Sequence, residues 1–249
     1  MISSQYVGRV SLLRDKVDTF YRYPFSLPAI KYFEHIDLHP NVTFIVGENG
    51  SGKSTLLEAI AVALGFNAEG GSKNFRFDTR RSHSELHGFL RIAKGYKSPR
   101  DGFFLRAESY FNVATEIERL DAEPSLGPPI IDSFGGRSLH EQSHGESFMT
   151  LMRERFRGHG LYILDEPEAA LSPSRQLETL TRIHELVGQQ SQFIIATHSP
   201  ILMAYPDSAI FQCGRGGIGP IAYEDTEHFR ITRDFLAHRE KLLRVLLDR

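Results

Sequence analysis

A glycine-rich segment near the start of the chain carries the residue types needed to hold a polyphosphate. Residues 47–54 read Gly-Glu-Asn-Gly-Ser-Gly-Lys-Ser and match the pattern G-x-x-x-x-G-K-S. Glycines let the backbone turn so that several N–H groups point at phosphate oxygens. Lys53 would reach the terminal phosphates of ATP, and the Ser54 hydroxyl would bind Mg²⁺; the alternative is a glycine-rich turn with an exposed lysine. The residues assigned to the nucleotide are Glu48, Asn49, Gly50, Ser51, Gly52, Lys53, Ser54 and Thr55.

Two carboxylates follow an apolar run in the second half of the chain. Residues 161–164 lead directly into Asp165 and Glu166. At the end of a buried strand, where open α/β sheets bind ligands, Asp165 would hold Mg²⁺ and Glu166 would activate the attacking water. Taken alone, the pair would fit a solvated acidic turn equally well. His198 follows another apolar run, residues 193–196, and is predicted to donate to the γ-phosphate. The predicted catalytic residues are Lys53, Glu166 and His198.

These side chains need a scaffold of strands and helices. The sequence predicts strands over residues 42–46, 161–164, 193–196 and 209–212, and helices over residues 53–64, 111–120, 146–156, 174–187 and 226–247. Residues 67–102 are rich in glycine and basic side chains and are predicted to be irregular. Because strands alternate with helices, we expect a parallel sheet with helices on its faces.

The composition is ordinary for a globular protein. The 249 residues are 41% hydrophobic and 24% charged, and the formal charge is −2. This charge gives no overall attraction to nucleic acid or anionic lipid. The single cysteine, Cys213, excludes an internal disulfide. With no signal-peptide pattern and no run of about 18 apolar residues, we expect a cytoplasmic protein without membrane insertion.

A second helix start also has the chemistry of an anion site. Residues 142–146 read Gln-Ser-His-Gly-Glu, and a helix is predicted directly after them. Ser143 is a good N-cap and Glu146 completes a capping-box pattern, so the simplest interpretation is a helix start. A helix N-terminus with a hydroxyl and a glycine also binds anions. Two copies facing head to tail would use both sites, with Ser143 and Gly145 of one copy closing on the triphosphate of the other.

Together these segments resemble the ABC-type ATPases. Residues 47–54 are similar to the Walker A motif of that family, residues 161–166 to its Walker B motif, and residues 143–146 to its signature segment. His198 is similar to its switch histidine, and residues 168–172 to the loop that crosses its dimer interface. The glycine-rich segment resembles the SMC and RecF-type branch more than transporter subunits.

The resemblance implies a fold and a domain plan. We expect an α/β fold, a P-loop NTPase with a mixed, mainly parallel sheet of the ABC ATPase type and an inserted small helical subdomain. The whole chain, residues 1–249, would be one domain. Its parts would be a nucleotide-binding core over residues 1–75 and 157–225, a helical signature subdomain over 76–156, and a C-terminal helical tail over 226–249. The tail is expected to pack on the domain.

The chain departs from the family pattern in the middle of the sequence. The family has a glutamine there that senses the metal and the attacking water, but residues 103–109 contain none. Glu108 is predicted to replace it as a metal-binding residue, with Arg106 and Ser109 as alternatives.

The signature segment also differs from the family pattern, and the residue that contacts adenine is less clear. His144 stands where the family usually has glycine, and Glu146 where it usually has glutamine. Ser143 and Gly145, which would touch the γ-phosphate, are present. Tyr23 is the candidate contact for adenine, although an aromatic on an edge strand would explain it as well.

A basic stretch offers a possible effector surface. Eight basic residues lie between Lys73 and Arg100, opposed by Asp78 and Glu85. With its interleaved aromatics the stretch could bind a nucleic-acid backbone and stack on bases. We favour a solvated face with the aromatics in the core.

The predicted function is a soluble, Mg²⁺-dependent ATPase that hydrolyses ATP to ADP and phosphate. It would form a homodimer on ATP binding and act on an unidentified effector protein or in DNA-related processes. The alternatives are the ATP-binding subunit of a membrane ABC transporter, a nucleic-acid-binding module with an ATPase switch, and a regulator that only binds ATP.

Overall fold

The computed structural model describes residues 5–73, 84–107, 110–123 and 127–247. The strands within these residues are β1 (Val7–Leu12), β2 (His35–Asp37), β3 (Val42–Val46), β4 (Leu90–Lys94), β5 (Asp101–Arg106), β6 (Gly160–Asp165), β7 (Gln192–Ala196), β8 (Ser208–Gly214) and β9 (Gly217–Pro220). The α-helices within them are α1 (Pro28–Lys31), α2 (Lys53–Ala63), α3 (Tyr110–Asp121), α4 (His144–Thr150), α5 (Pro173–Gly188), α6 (Pro200–Met203), α7 (Glu227–Ala237) and α8 (Arg239–Leu247).

A six-stranded sheet forms the centre of the molecule. Its order is β5-β6-β7-β3-β8-β9; the first five strands are parallel, and β9 is antiparallel to β8. The strands predicted over residues 42–46, 161–164, 193–196 and 209–212 are confirmed as β3, β6, β7 and β8. Because β3, β6 and β7 are buried along their whole length, their sequences are continuous apolar runs.

Alternate residues of these strands pack on opposite faces of the sheet. Phe44 and Tyr162 belong to a core that includes residues of α3, α4 and α5. Ile45 and Ile163 belong to the core on the other face, which includes residues of α2, β1 and β4. Burying one such side chain fully stabilises the fold by about 1.5–3 kcal/mol. The sheet is therefore a middle layer held from both sides, and its strand ends keep fixed relative positions.

A second, antiparallel sheet of order β2-β1-β4 covers one face. The prediction that residues 67–102 are irregular is wrong over β4 and the start of β5. Residues 76–156, predicted to be a helical subdomain, contain both of these strands. β4 gives little sequence signal because it is an edge strand with polar, exposed outer side chains, and its partner β1 lies far earlier in the chain.

The helices of that range lie after β5. The helix predicted over residues 146–156 begins earlier, at His144, and its last turn, Leu151–Arg155, is π-helical. An ion pair ties this turn to the sheet, because Nη1 of Arg155 is 2.8 Å from Oδ1 of Asp101. The hydroxyl of Tyr162 in β6 donates to Oδ2 of Asp101 at 2.8 Å.

The protonation of Asp101 is set by these partners. Burial alone would raise the pKa of Asp101, but the hydrogen bonds from Arg155 and Tyr162 and the charge of Arg155 lower it overall. Asp101 is therefore held as a carboxylate that joins β5, β6 and the π-helical turn.

The tail forms two helices, α7 and α8, as predicted over residues 226–247. Neither helix contains a buried residue, so the expected packing on the domain is limited to the start of α7. Large apolar side chains of the tail that remain exposed include Ile231, Leu236, Val245, Leu246 and Leu247. Within the described ranges, no helix combines the length and apolar character of a membrane span.

We predict that Asp101→Asn lowers the free energy of unfolding by about 1.5–3 kcal/mol, because Arg155 and Tyr162 lose a charged acceptor. The folded-state pKa of Asp101 lies below its unfolded value. Its contribution is therefore complete above the unfolded pKa and is lost as pH falls through the folded pKa. The difference in Tm between wild type and variant should shrink in acid, which thermal unfolding at a series of pH values measures.

Asp37→Asn is the matched control. Asp37 pairs with Arg9 at the surface, where their side chains are 60% and 50% exposed, so its loss should leave Tm unchanged. Equal losses in both variants, or a difference that grows in acid, would contradict the role given to Asp101.

Candidate nucleotide-binding site

The loop over residues 47–52 leaves β3 and turns directly into α2. Gly47 has a φ of 145° and Gly52 a φ of 103°, which residues with side chains rarely adopt. A Cβ at position 47 would lie 2.4 Å from the carbonyl oxygen of Cys213 in β8. Conformation and space therefore both require glycine there, and the loop is held against the sheet.

Two polar groups of this loop lack a strong partner. Lys53 is 4% exposed, and its Nζ donates to the carbonyl oxygen of Glu48 at 3.1 Å. Burial lowers the pKa of Lys53, and the charge of Glu166 opposes this shift. The Oγ atom of Ser51 is buried and has no hydrogen-bond partner within the part of the chain that is described. Phosphate oxygens would satisfy both groups, so the loop fits a polyphosphate.

A hydroxyl and a carboxylate meet beside the loop. Oγ of Ser54, in the first turn of α2, donates to Oδ1 of Asp165, the last residue of β6, at 3.0 Å. Asp165 is 6% exposed. Mg²⁺ prefers oxygen ligands of these kinds and keeps several waters besides. Ser54 and Asp165 therefore fit the predicted metal.

Glu166 and His198 lie next to each other at neighbouring strand ends. Glu166 follows β6 with a φ of 51°, a left-handed conformation that costs energy for a residue with a side chain. Nε2 of His198 is 3.4 Å from Oε1 of Glu166. The backbone N–H of His198 donates to Oε1 of Glu168, which fixes the loop after β7. Both side chains are partly exposed, although Nε2 of His198 itself is buried.

Arg106 ends β5 and lies beside the acidic residues. The strand register places it opposite Asp165, and its Nε is 3.8 Å from Oδ2 of that residue. Its Nη1 donates to Oε2 of Glu58 at 2.7 Å. Arg106 thus brings positive charge to the site, but a guanidinium has no lone pair for a metal. Glu108 and its alternative Ser109 lie outside the described residues, so the metal-binding role of Glu108 stays a prediction.

A cavity of about 430 Å³ opens beside the outer part of the loop. Glu48, Asn49 and Ser51 line one side of it, and Arg215 and Glu227 line another. Tyr23 does not line this cavity, and the residue is 61% exposed. Its predicted contact with adenine stays a prediction.

Ser143 and Gly145 adjoin a different cavity. The capping box is present: Oγ of Ser143 accepts from the N–H of Glu146, and Oε2 of Glu146 accepts from the N–H of Ser143. The open cavity beside them, about 650 Å³, is also lined by Ala170 and Arg175. It shares no lining residue with the cavity beside the phosphate loop. The signature-like helix start therefore faces a separate opening from the loop of its own chain.

His228 also lies at this site, although no sequence pattern predicts it there. It lies in the first turn of α7, and its Nε2 is 2.8 Å from Nδ1 of His198. The ring centroids are 4.9 Å apart at an angle of 65°. Burial lowers the pKa of His228, as do the charges of His198 and Lys53. The two histidines belong to elements that are distant along the chain, so no local pattern connects them.

Comparisons with known proteins identify a family and a fold. Residues 26–199 match the family model described as an AAA domain, which is more than half of the chain. A structure of a metal-chelate type ABC transporter in an inward-facing conformation is 15% identical, with a TM-score of 0.50, and the match covers 92% of this chain and 88% of that chain. The SMC head domain from Thermotoga maritima is 18% identical, with a TM-score of 0.45, and the match covers 88% of this chain and 100% of that chain. The comparison with curated proteins gives no match.

At such identities the structural match establishes the fold alone. The family match is more specific, because it spans the phosphate loop, the acidic pair and His198. The chain belongs to the AAA domain family, whose members are ATP-binding P-loop ATPases, and it has the α/β fold of an ABC-type ATPase.

Proposed function

We propose that the protein hydrolyses ATP to ADP and phosphate, with Mg²⁺, at a site that a second copy of the chain completes. One observation carries the proposal. The phosphate loop, Asp165, Glu166 and His198 converge at one edge of the sheet, while Ser143 opens on a separate cavity of the same chain. A head-to-tail homodimer that forms on ATP binding would place Ser143 and Gly145 against the γ-phosphate of its partner.

Each residue has a role set by its position. Lys53 and the N–H groups of the loop bind the β- and γ-phosphates, and Ser54 and Asp165 hold the metal. Mg²⁺, when bound, neutralises charge on the phosphate oxygens. Glu166 orients the attacking water and accepts its proton, and His198 donates from Nε2 to a γ-phosphate oxygen. Phosphoryl transfer needs mainly positioning and charge stabilisation, which these groups supply.

A nucleic acid is the effector that the described surface favours. Arg91, Lys94, Lys97 and Arg100 are all exposed on and after β4, an edge strand. Of the aromatics expected in the core, Phe89 packs against it, whereas Tyr96 between these cations is 66% exposed. Exposed cations with an exposed aromatic ring can follow a phosphate backbone and stack on a base. Arg80 and Arg81, also in the predicted stretch, lie outside the described residues.

The proposed location is the cytoplasm. The one cysteine of the chain, Cys213, is buried and free, which agrees with a reducing compartment.

We predict that Glu166→Gln slows ATP hydrolysis by about 10²- to 10⁴-fold, because the group that activates the water is lost. ATP binding should persist, and ATP should shift this variant to a dimer in size-exclusion chromatography with light scattering. Lys53→Ala should lose tight nucleotide binding as well as hydrolysis. Glu240→Gln, an exposed carboxylate in α8, is the control and should behave as wild type. Wild-type turnover by the Glu166 variant would remove that residue from its role.

We predict that two inactive variants restore each other when mixed. A copy with Ser143→Arg blocks the nucleotide site of the other copy. A copy with Lys53→Ala can no longer bind phosphate at its own loop. A mixed dimer would keep one intact site, with Lys53 from one copy and Ser143 from the other. ATPase assays across mixing ratios should therefore show activity that neither variant has alone. No activity at any ratio would contradict a site that Lys53 of one copy and Ser143 of the other complete together.

We predict that DNA or RNA stimulates the ATPase at low salt. Replacing Arg91, Lys94 and Lys97 with glutamine should weaken nucleic-acid binding. The slope of log binding constant against log salt concentration should also fall, by about one unit for each phosphate that the protein no longer neutralises. Replacing Arg239, Lys241 and Arg244 in α8 removes the same charge elsewhere and is the control. Equal effects of both triple variants, or no stimulation by any nucleic acid, would exclude this surface.

A further inference from the structure

In the hydrogen bond between His198 and His228, one ring must donate and the other must accept. Nδ1 of His198 and Nε2 of His228 are 2.8 Å apart, a hydrogen-bond distance that requires one proton between them. A neutral imidazole has one N–H and one lone pair, so one ring donates and the other accepts. If Nδ1 of a neutral His198 donates, its Nε2 carries a lone pair; if Nδ1 accepts, its Nε2 carries the proton.

The surroundings of the other nitrogen decide between the two arrangements. Nε2 of His198 is buried, is 3.4 Å from Oε1 of Glu166, and makes no hydrogen bond within the described residues. An ionised carboxylate only accepts hydrogen bonds, and so does a phosphate oxygen. A lone pair on Nε2 would face these acceptors, whereas an N–H would be attracted to them. A neutral His198 therefore carries its proton on Nε2, and its Nδ1 accepts.

The geometry points to His228 as a positioning residue of the ATPase site. We propose that Nε2–H of His228 donates to Nδ1 of His198 and keeps the N–H of that ring directed at Glu166 and the γ-phosphate. This inference rests on the proposed function, in which His198 donates to the phosphate. His228, a residue of the C-terminal tail, would then affect the reaction through the side chain of His198.

The start of α7 is built to hold His228 in place. Thr226 is fully buried and its hydroxyl donates to the carbonyl oxygen of Tyr223 at 2.7 Å. The hydroxyl of Tyr223 donates to the carbonyl oxygen of Pro200, two residues after His198, at 3.0 Å. The rings of Tyr223 and Phe229 pack with centroids 4.6 Å apart. Polar and aromatic contacts thus fix the helix turn that carries His228 to the segment that carries His198.

The electrostatic surroundings of His228 agree with a neutral donor. Burial lowers the pKa of His228, and the charge of Lys53 acts in the same direction, whereas Glu227 and Glu48 oppose this shift. A neutral His228 has one N–H and one lone pair, so its Nε2–H can donate to Nδ1 of His198.

Enzyme kinetics test the role of His228. His228→Ala should lower kcat by about 10- to 100-fold, as loss of the outer partner of a functional histidine does, while ATP affinity changes little. His228→Gln retains a side-chain N–H donor and should recover part of the loss. In a His198→Ala background, His228→Ala should have no further effect. His238→Ala, at the exposed end of the same helix, is the control and should match wild type.

Several outcomes would overturn the inference. A His228→Ala variant with wild-type or raised kcat would show that the contact is idle or inhibitory. Additive losses in the double variant would show that the two histidines act separately. If wild type hydrolyses ATP no faster than Glu166→Gln, the proposed function fails instead.

A spectroscopic measurement needs neither turnover nor a substitution in the observed sample. Long-range ¹H–¹⁵N spectra of histidine-labelled wild type distinguish protonated from unprotonated ring nitrogens, and spectra of His198→Ala and His228→Ala assign the two rings. We expect protonated Nε2 and unprotonated Nδ1 at His198, with protonated Nε2 at His228. A proton on Nδ1 of His198 would reverse the direction of the bond and refute the proposal.

Discussion

The site depends on the order of three parallel strands. β7 lies between β3 and β6, and the register aligns Asp165 with Ala196 and Ala196 with Ile45. The carboxyl ends of the strands therefore meet at one edge, where the phosphate loop, the acidic pair and His198 follow them. Each strand is buried on both faces, so a shift of any one would expose apolar surface and separate the residues of the candidate site. The packing that stabilises the sheet therefore also fixes the geometry of the site.

Sequence patterns predict the parts of this site that lie within one segment. The phosphate loop, Asp165 with Glu166, and the capping box at Ser143 each combine distinctive residues with a local strand or helix signal. The missing parts are contacts between segments that are distant in the chain. Arg106 reaches Glu58 and Asp165 because β5 pairs with β6, and His228 meets His198 because α7 turns back onto the loop after β7. Amphipathic periodicity predicts that α7 is a helix, but it does not show what its first turn touches.

The capping box also affects how a second copy would engage. Oγ of Ser143 donates to Oε2 of Glu146 at 2.7 Å while it accepts from the N–H of the same residue. To reach a phosphate of a partner, the hydroxyl has to leave a carboxylate that it already binds. Glu146 also brings a negative charge to the position where the family usually has a neutral glutamine. Closure of the proposed dimer over ATP would therefore have to break a local hydrogen bond and bring Glu146 towards the phosphates, and both effects would weaken the dimer.

The C-terminal tail is held less firmly than the sheet. Neither α7 nor α8 contains a buried residue. Elements with few buried contacts open at a low free-energy cost compared with the core. The sheet edge is therefore rigid, whereas the second partner of His198 is held by a small set of contacts around Tyr223 and Thr226. If His228 sets the proton position on His198, the orientation of the phosphate donor depends on whether this turn stays docked, while the binding of ATP by the loop does not.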